Sequence, residues 1–171
     1  MKIVTYPDPV LLRESAPLAT IDDEVRARVA EMFALMYEAR GIGLAAPQVD
    51  WPVRLFVVNL AAEAGQGEER VFINPVMVEK SKTEAVNDEG CLSIPGVSAP
   101  VKRAIRVMMD ATDLEGRRFT AVGEELFARV LQHEFDHLNG ILFVSKVVPS
   151  QQKQILKRLR EIREGVTSGQ E

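Results

Sequence analysis

The chain has 171 residues, a length for one domain rather than several, and 46% of them are hydrophobic, ample for a core. Its 27% of charged residues and net charge of −4 are ordinary for a globular protein and argue against a general nucleic-acid binder. No apolar run approaches the ~20 residues that span a bilayer, and the start Met1-Lys2-Ile3-Val4-Thr5-Tyr6-Pro7 has no signal-peptide core. A cytoplasmic protein with no membrane association is therefore expected, and a single cysteine, unable to form an internal disulfide, fits such a reducing compartment.

Residues 1–20 contain Pro7, Pro9 and Pro17 and read as irregular. A helix is predicted from near Asp22, whose side chain can cap it, to about residue 40. Val25, Val29, Met32, Phe33 and Met36 recur at helical spacing along its buried face, and Gly41 is the expected left-handed stop. The stretch Gly41-Ile42-Gly43-Leu44-Ala45-Ala46-Pro47-Gln48 reads as a loop whose small residues let backbone approach a ligand or a packed chain. It is no dinucleotide fingerprint, because it follows a helix and lacks the third glycine.

Residues 53–60 form an apolar, valine-rich run that predicts a buried strand, and 71–80 predict a second, with Pro75 at an edge or bulge. Further strands are predicted at 101–112 and 117–122, joined by a turn at Asp113-Leu114-Glu115-Gly116. Residues 124–139 predict the central helix, on which Leu126, Val130, His133 and His137 make one stripe continuous with a core-facing side, ended by Gly140. Residues 141–148 read as a short extended segment. Pro149 opens a last helix to about residue 164, with Ile155, Leu156, Leu159 and Ile162 inward and Lys153, Lys157, Arg158, Arg160 and Arg163 outward. These elements predict an α+β fold of mainly antiparallel strands with an N-terminal helix, a motif-bearing helix and a C-terminal helix. The expected organisation is a single catalytic domain over 1–165 and a flexible tail over 166–171.

The central helix carries Gln132-His133-Glu134-Phe135-Asp136-His137, and its two histidines are the only ones in the chain. Four residues apart on a helix they lie one above the other, so one metal ion can sit between them while Glu134 reaches a water beside it. A histidine on an apolar face is more often a hydrogen-bonded core residue than a ligand, and a lone cysteine is usually a small buried hydrophobe. Taken together, Cys91 in Glu89-Gly90-Cys91-Leu92-Ser93 would complete a Cys-His-His set suited to a borderline divalent metal.

These three stretches, in this order and at this spacing, resemble the three motifs of the peptide deformylases, and the resemblance covers nearly the whole chain. It implies an α+β fold whose motif helix is enclosed by β-sheets, with the cysteine strand facing it. It implies a hydrolase that removes the N-formyl group from N-terminal formylmethionine of nascent peptides and releases formate. Cys91, His133 and His137 match the family's metal ligands, and Glu134 its general base and acid. Gln48 and the Leu92 backbone amide match the groups that bind the formyl oxygen. Ile42 and Gly43 match the peptide-binding backbone, and Leu126 and Val130 the methionine pocket. Glu89 matches a buried acid beside the cysteine loop. The resemblance also implies Fe2+ as the native metal, replaceable by Zn2+, Ni2+ or Co2+, and a C-terminal helix that in some members contacts the ribosome. Ser98 departs from the family's frequent arginine at that position, near the mouth of the peptide site. A zinc peptidase shares His-Glu-x-x-His but usually takes its third ligand downstream as His or Glu; past His137 there is no histidine.

Overall fold

Asp22 starts the first helix: its carboxylate accepts the Val25 amide at 3.0 Å, and α1 then runs Asp23–Glu38 with Val25, Val29, Met32, Phe33 and Met36 buried. A computed structural model describes residues 1–165, so the expected tail at 166–171 lies outside the described residues. At its C-terminus the Arg40 amide donates to the Tyr37 carbonyl at 3.0 Å and the Gly41 amide to that of Met36 at 2.8 Å. That pair of bonds requires a left-handed residue, and it is Arg40, with φ 57°, instead of the expected Gly41. An L-residue there costs on the order of 1 kcal/mol relative to glycine.

Five strands form one sheet in the order β1 (Gly43–Ala45), β2 (Leu55–Val58), β3 (Arg70–Lys80), β6 (Arg106–Thr112), β7 (Arg118–Glu124). Strands β4 (Glu84–Cys91) and β5 (Ile94–Ala104) make a separate hairpin, and every strand pair is antiparallel. β3 breaks register between Ile73 and Val76, where Pro75 sits as expected; Asn74 takes φ 48° and binds the Leu18 amide and carbonyl at 2.8 and 2.9 Å.

Four segments differ from expectation in their secondary structure. Part of the predicted 41–48 loop, β1, pairs with β2 as an edge strand. β4 went unpredicted because it lies in a two-stranded hairpin where only Glu89 is fully buried, which leaves no apolar alternation to find. The run 101–112 is two strands, since the chain leaves the hairpin at Ile105, whose amide bonds to Thr83, and enters the other sheet at Arg106. Residues 141–148 contain a 3-10 turn, Phe143–Lys146, in place of an extended segment.

α2 (Glu125–Leu138) packs on β7, where a Cβ at Gly123 would lie 2.9 Å from Leu131 Cδ1 and 3.1 Å from the Ala128 nitrogen. It ends at Gly140, φ 71°, which has the Leu12 carbonyl oxygen 2.7 Å from its Cβ position, so only glycine fits. Beneath α2 lie Phe56, Phe72 and Met109, all with no exposed surface, each contributing roughly 1.5–3 kcal/mol by burial. α3 (Pro149–Arg163) buries Ile155 and Leu159 against Tyr6, Phe143 and Val101. Leu156, expected inward, is 61% exposed, because four apolar residues exceed the width of the contact. Arg163, expected outward, donates to the Tyr6 hydroxyl at 2.6 Å and covers its ring. Among the described residues no helix is long and apolar enough to cross a membrane.

Candidate active site

The two histidines one turn apart on α2 have ring centroids 5.0 Å apart, and the end of β4 brings Cys91 to them. Cys91 Sγ lies 3.3 Å from His137 Nε2, and one ligand atom from each of Cys91, His133 and His137 falls within 4.8 Å of the others. A tetrahedral ion bound at 2.0–2.3 Å holds such atoms about 3.3–3.6 Å apart, so small side-chain adjustments suffice to share one. Among the described residues, two buried polar atoms here have no hydrogen-bond partner, Glu134 Oε2 and His137 Nδ1. The donor set, one thiol and two imidazoles, fits a divalent metal.

His133 is aimed by Glu89, whose Oε1 lies 2.9 Å from Nδ1 and so turns Nε2 toward the cysteine. Glu89 is itself gripped twice: by Arg103 at 2.9 Å on each oxygen, and by Arg129 at 2.6 Å. Arg103 reaches on to Asp136 at 2.6 Å, and Lys146 closes the chain at 2.9 Å from Asp136. Arg129 also donates to the Val101 carbonyl at 2.9 Å and that of Ala85 at 2.8 Å, which ties the cysteine hairpin to α2. Glu89 and Asp136 thus each have guanidinium or ammonium partners, the condition under which buried charge is tolerated.

The electrostatics of the polypeptide follow. Burial would raise the Glu89 carboxyl, but Arg103 and His133 outweigh it and hold it well below the usual carboxylate range. Burial opposes charge on His133, yet Cys91 and Glu89 push it up to about 10. Burial, helped by the charge of His133 and Arg103, holds His137 well below its ordinary value. Burial raises Glu134 to about 7, against the pull of His133. A carboxyl poised there can both take and return a proton near neutral pH.

Glu134 and His133 form one wall of a cleft of about 940 Å3. Cys91, Leu92 and Gln48 line it beside them, Ile42 and Gly43 form the β1 side, and Leu126 and Val130 the next turns of α2. Of the residues singled out from sequence only His137 is not in this lining; it is 1% exposed and lies behind it. Leu126 corrects the expectation of a wholly core-facing stripe, being 52% exposed at the cleft mouth. Ser98 also lines the cleft.

Gln48 is fixed at both ends of its amide. Its Oε1 accepts the Ala45 amide at 2.9 Å, and its Nε2 donates to Ser93 Oγ at 3.1 Å and approaches Cys91 Sγ at 3.5 Å. The oxygen's partner can only donate, so Nε2 must face the cleft. Sequence reasoning missed Ser93, Arg103, Arg129 and Asp136. Arg129 and Asp136 stand four before and three after His133 on α2, a helical spacing that was a usable signal; Arg103 offered none.

The family model for polypeptide deformylase matches residues 1–153. A peptide deformylase of Acidobacterium capsulatum is 42% identical over 94% of this chain and 94% of its own length. A chloroplastic peptide deformylase of rice is 45% identical over 97% of this chain, which spans 59% of that relative's length. The crystal structure of a peptide deformylase from Plasmodium falciparum superposes with a TM-score of 0.91 at 41% identity, covering 99% of this chain and 100% of the other.

Proposed function

The chain belongs to the polypeptide deformylase family, and we infer from this that it is a metal-dependent hydrolase removing the N-formyl group from the N-terminal formylmethionine of newly made polypeptides, with release of formate. One observation carries the assignment beyond family membership: Cys91 and His133, in the wall of a peptide-sized cleft, converge with His137 just behind it, beside a buried carboxylate, Glu134. Cys91, His133 and His137 would hold one divalent ion, Fe2+ natively, with Zn2+, Ni2+ or Co2+ as substitutes. When bound, such an ion supplies Lewis acidity, making water more acidic and the formyl carbonyl more electrophilic.

The chain's own residues supply the remainder. Ile42 and Gly43 offer backbone to the extended peptide, and Leu126 and Val130 receive the methionine side chain. Gln48 Nε2 and the Leu92 amide donate to the carbonyl oxygen as it gains charge. Glu134 takes a proton from the attacking water and delivers it to the amine nitrogen as the carbon–nitrogen bond breaks, leaving formate and a free amino terminus. Glu89, anchored by Arg103 and Arg129, fixes the His133 ring. Residues 1–165 act as one catalytic domain in the cytoplasm. On α3 the exposed Lys153, Lys157 and Arg160 form a cationic face suited to the ribosome. Deleting residues 150–171 should abolish salt-sensitive ribosome binding and spare peptide turnover; equal binding would remove that partner.

A zinc peptidase reading loses ground because Cys91, upstream of the helix, is the residue that completes the ligand set. The deciding experiment is formate release from formyl-Met-Ala-Ser, with the unformylated peptide as control and metal analysis on the same sample. Formate in proportion to bound metal is expected; intact formyl peptide with metal bound, or cleavage of the control, would overturn the assignment.

A further inference from the structure

α1 and α2 end in the same way, with one residue left-handed so that its own amide and the next one cap the helix. At the end of α2 that residue is Gly140; at the end of α1 it is Arg40, although Gly41, whose Cβ position lies 2.8 Å from Leu92 Cδ1, follows directly. Retaining a long cationic side chain in a conformation that favours glycine points to a use for the side chain. Arg40 is exposed and lines the rim of the cleft, and its guanidinium makes no ion pair or hydrogen bond among the described residues. The other two arginines of α1 differ: Arg26 pairs with Asp23 and Arg28 with Glu24.

Position gives the use. A Cβ at Gly43 would lie 2.6 Å from Glu134 Oε1, so Gly43 marks the reacting end, and Arg40 stands three residues away along the same wall. Three residues span at most about 10 Å, the length of the two or three peptide residues that follow the formyl group. Across the cleft the rim offers Ser98, which is uncharged, and Asp88, an exposed carboxylate that also lines a smaller cavity on the far side of β4. The rim cation is therefore concentrated on the Gly41–Gly43 side.

We propose that Arg40 is a specificity-determining residue that favours formyl peptides with an acidic side chain in the two positions after methionine. Its role presupposes the deformylase activity above. An exposed ion pair of this kind shifts affinity modestly, about two- to fivefold. The test compares kcat/KM at low salt for formyl-Met-Ala-Asp, formyl-Met-Asp-Ala and their Asn and Lys counterparts, in the wild type and in Arg40→Gln, Arg40→Gly and Arg40→Glu. The wild type should prefer at least one acidic peptide over its Lys counterpart, Arg40→Gln and Arg40→Gly should bring that ratio near one, and Arg40→Glu should invert it. The Asn peptides should turn over equally in all four proteins, because Arg40 touches none of the reacting groups. An unchanged ratio in Arg40→Gln, or an equal loss on every peptide, overturns the proposal alone. No turnover of any formyl peptide by the metal-loaded wild type overturns the deformylase assignment and this role with it.

Discussion

Gly43 and Glu134 are fitted to each other: a Cβ at Gly43 would lie 2.6 Å from the Glu134 Oε1 and 3.0 Å from its Cδ. The small residue on β1 is therefore what allows the carboxylate to stand where the cleft needs it. Gly43→Ala should displace Glu134 by about an ångström, and such misplacement of a reacting group can cost about 10²-fold. We expect kcat to fall at least tenfold with bound metal and melting temperature little changed. A Gly43→Ala enzyme with wild-type kcat would show that Glu134 has room to spare.

Gln48 is held by the Ala45 amide and by Ser93, so its Nε2 is set before any substrate arrives. Gln48→Ala removes the donor, and with it the contact to Cys91 Sγ, while Cys91, His133 and His137 all remain. Loss of one donor to a developing oxyanion typically lowers kcat about 10²–10³-fold. Ser93→Ala should give a smaller loss, since Ser93 acts only by steadying Gln48. Steady-state kinetics on one formyl peptide rank the two, and a larger defect in Ser93→Ala would reverse their roles.

Much of this site was readable in the chain because each piece is local. His133 and His137 meet through the pitch of one helix, Asp22 caps the helix it precedes, and the turn at Asp113 closes with its own neighbours at 2.9 and 3.0 Å. The unread parts are those where residues depend on partners far along the chain. Glu89 is paired with Arg103, Arg129 and His133 from two other elements, and no periodicity links position 89 to them. β4 has polar residues on both faces because it pairs only with β5, so its pattern is that of a surface loop. Arg40 was passed over for Gly41 because glycine is the favoured left-handed residue, and the exception is visible only in the backbone.

Glu89 makes the fold acid-labile in a defined direction. Its carboxyl is held well below the ordinary value of 4.5, despite burial, by Arg103 and His133. A depressed carboxyl contributes stability that is fully present above the unfolded value and declines as pH falls from about 4.5 toward the folded one, because the unfolded chain then binds the proton first. Glu89→Gln leaves Arg129 buried without its counter-charge and Arg103 with Asp136 alone, a loss of about 3–5 kcal/mol near neutrality. Urea unfolding of both proteins with chelator present, at pH 7, 5, 4 and 3, should show a constant gap down to about pH 5 and a narrowing one below it. A gap of constant size at every pH would mean that the Glu89 charge contributes nothing.

The Cys91, His133 and His137 set ties the β4–β5 hairpin to α2, so an ion held there should stabilise the fold as well as the chemistry. A ligand that binds only the native state at a thousandfold over its Kd contributes about 4 kcal/mol, or some 8–16 °C in Tm for a chain of this length. Chelation should lower Tm by that order and abolish turnover, and Fe2+, Zn2+, Ni2+ or Co2+ should restore Tm. Cys91→Ser, which keeps the size but loses the thiolate, should start near the chelated Tm and respond weakly to either treatment. If iron is the native metal, activity and iron should be lost together during aerobic handling, since a thiolate-held ferrous ion is exposed to oxidation from the open side of the cleft. Stable activity and iron content in air would remove iron, and a Tm indifferent to chelator would remove the three-residue site itself.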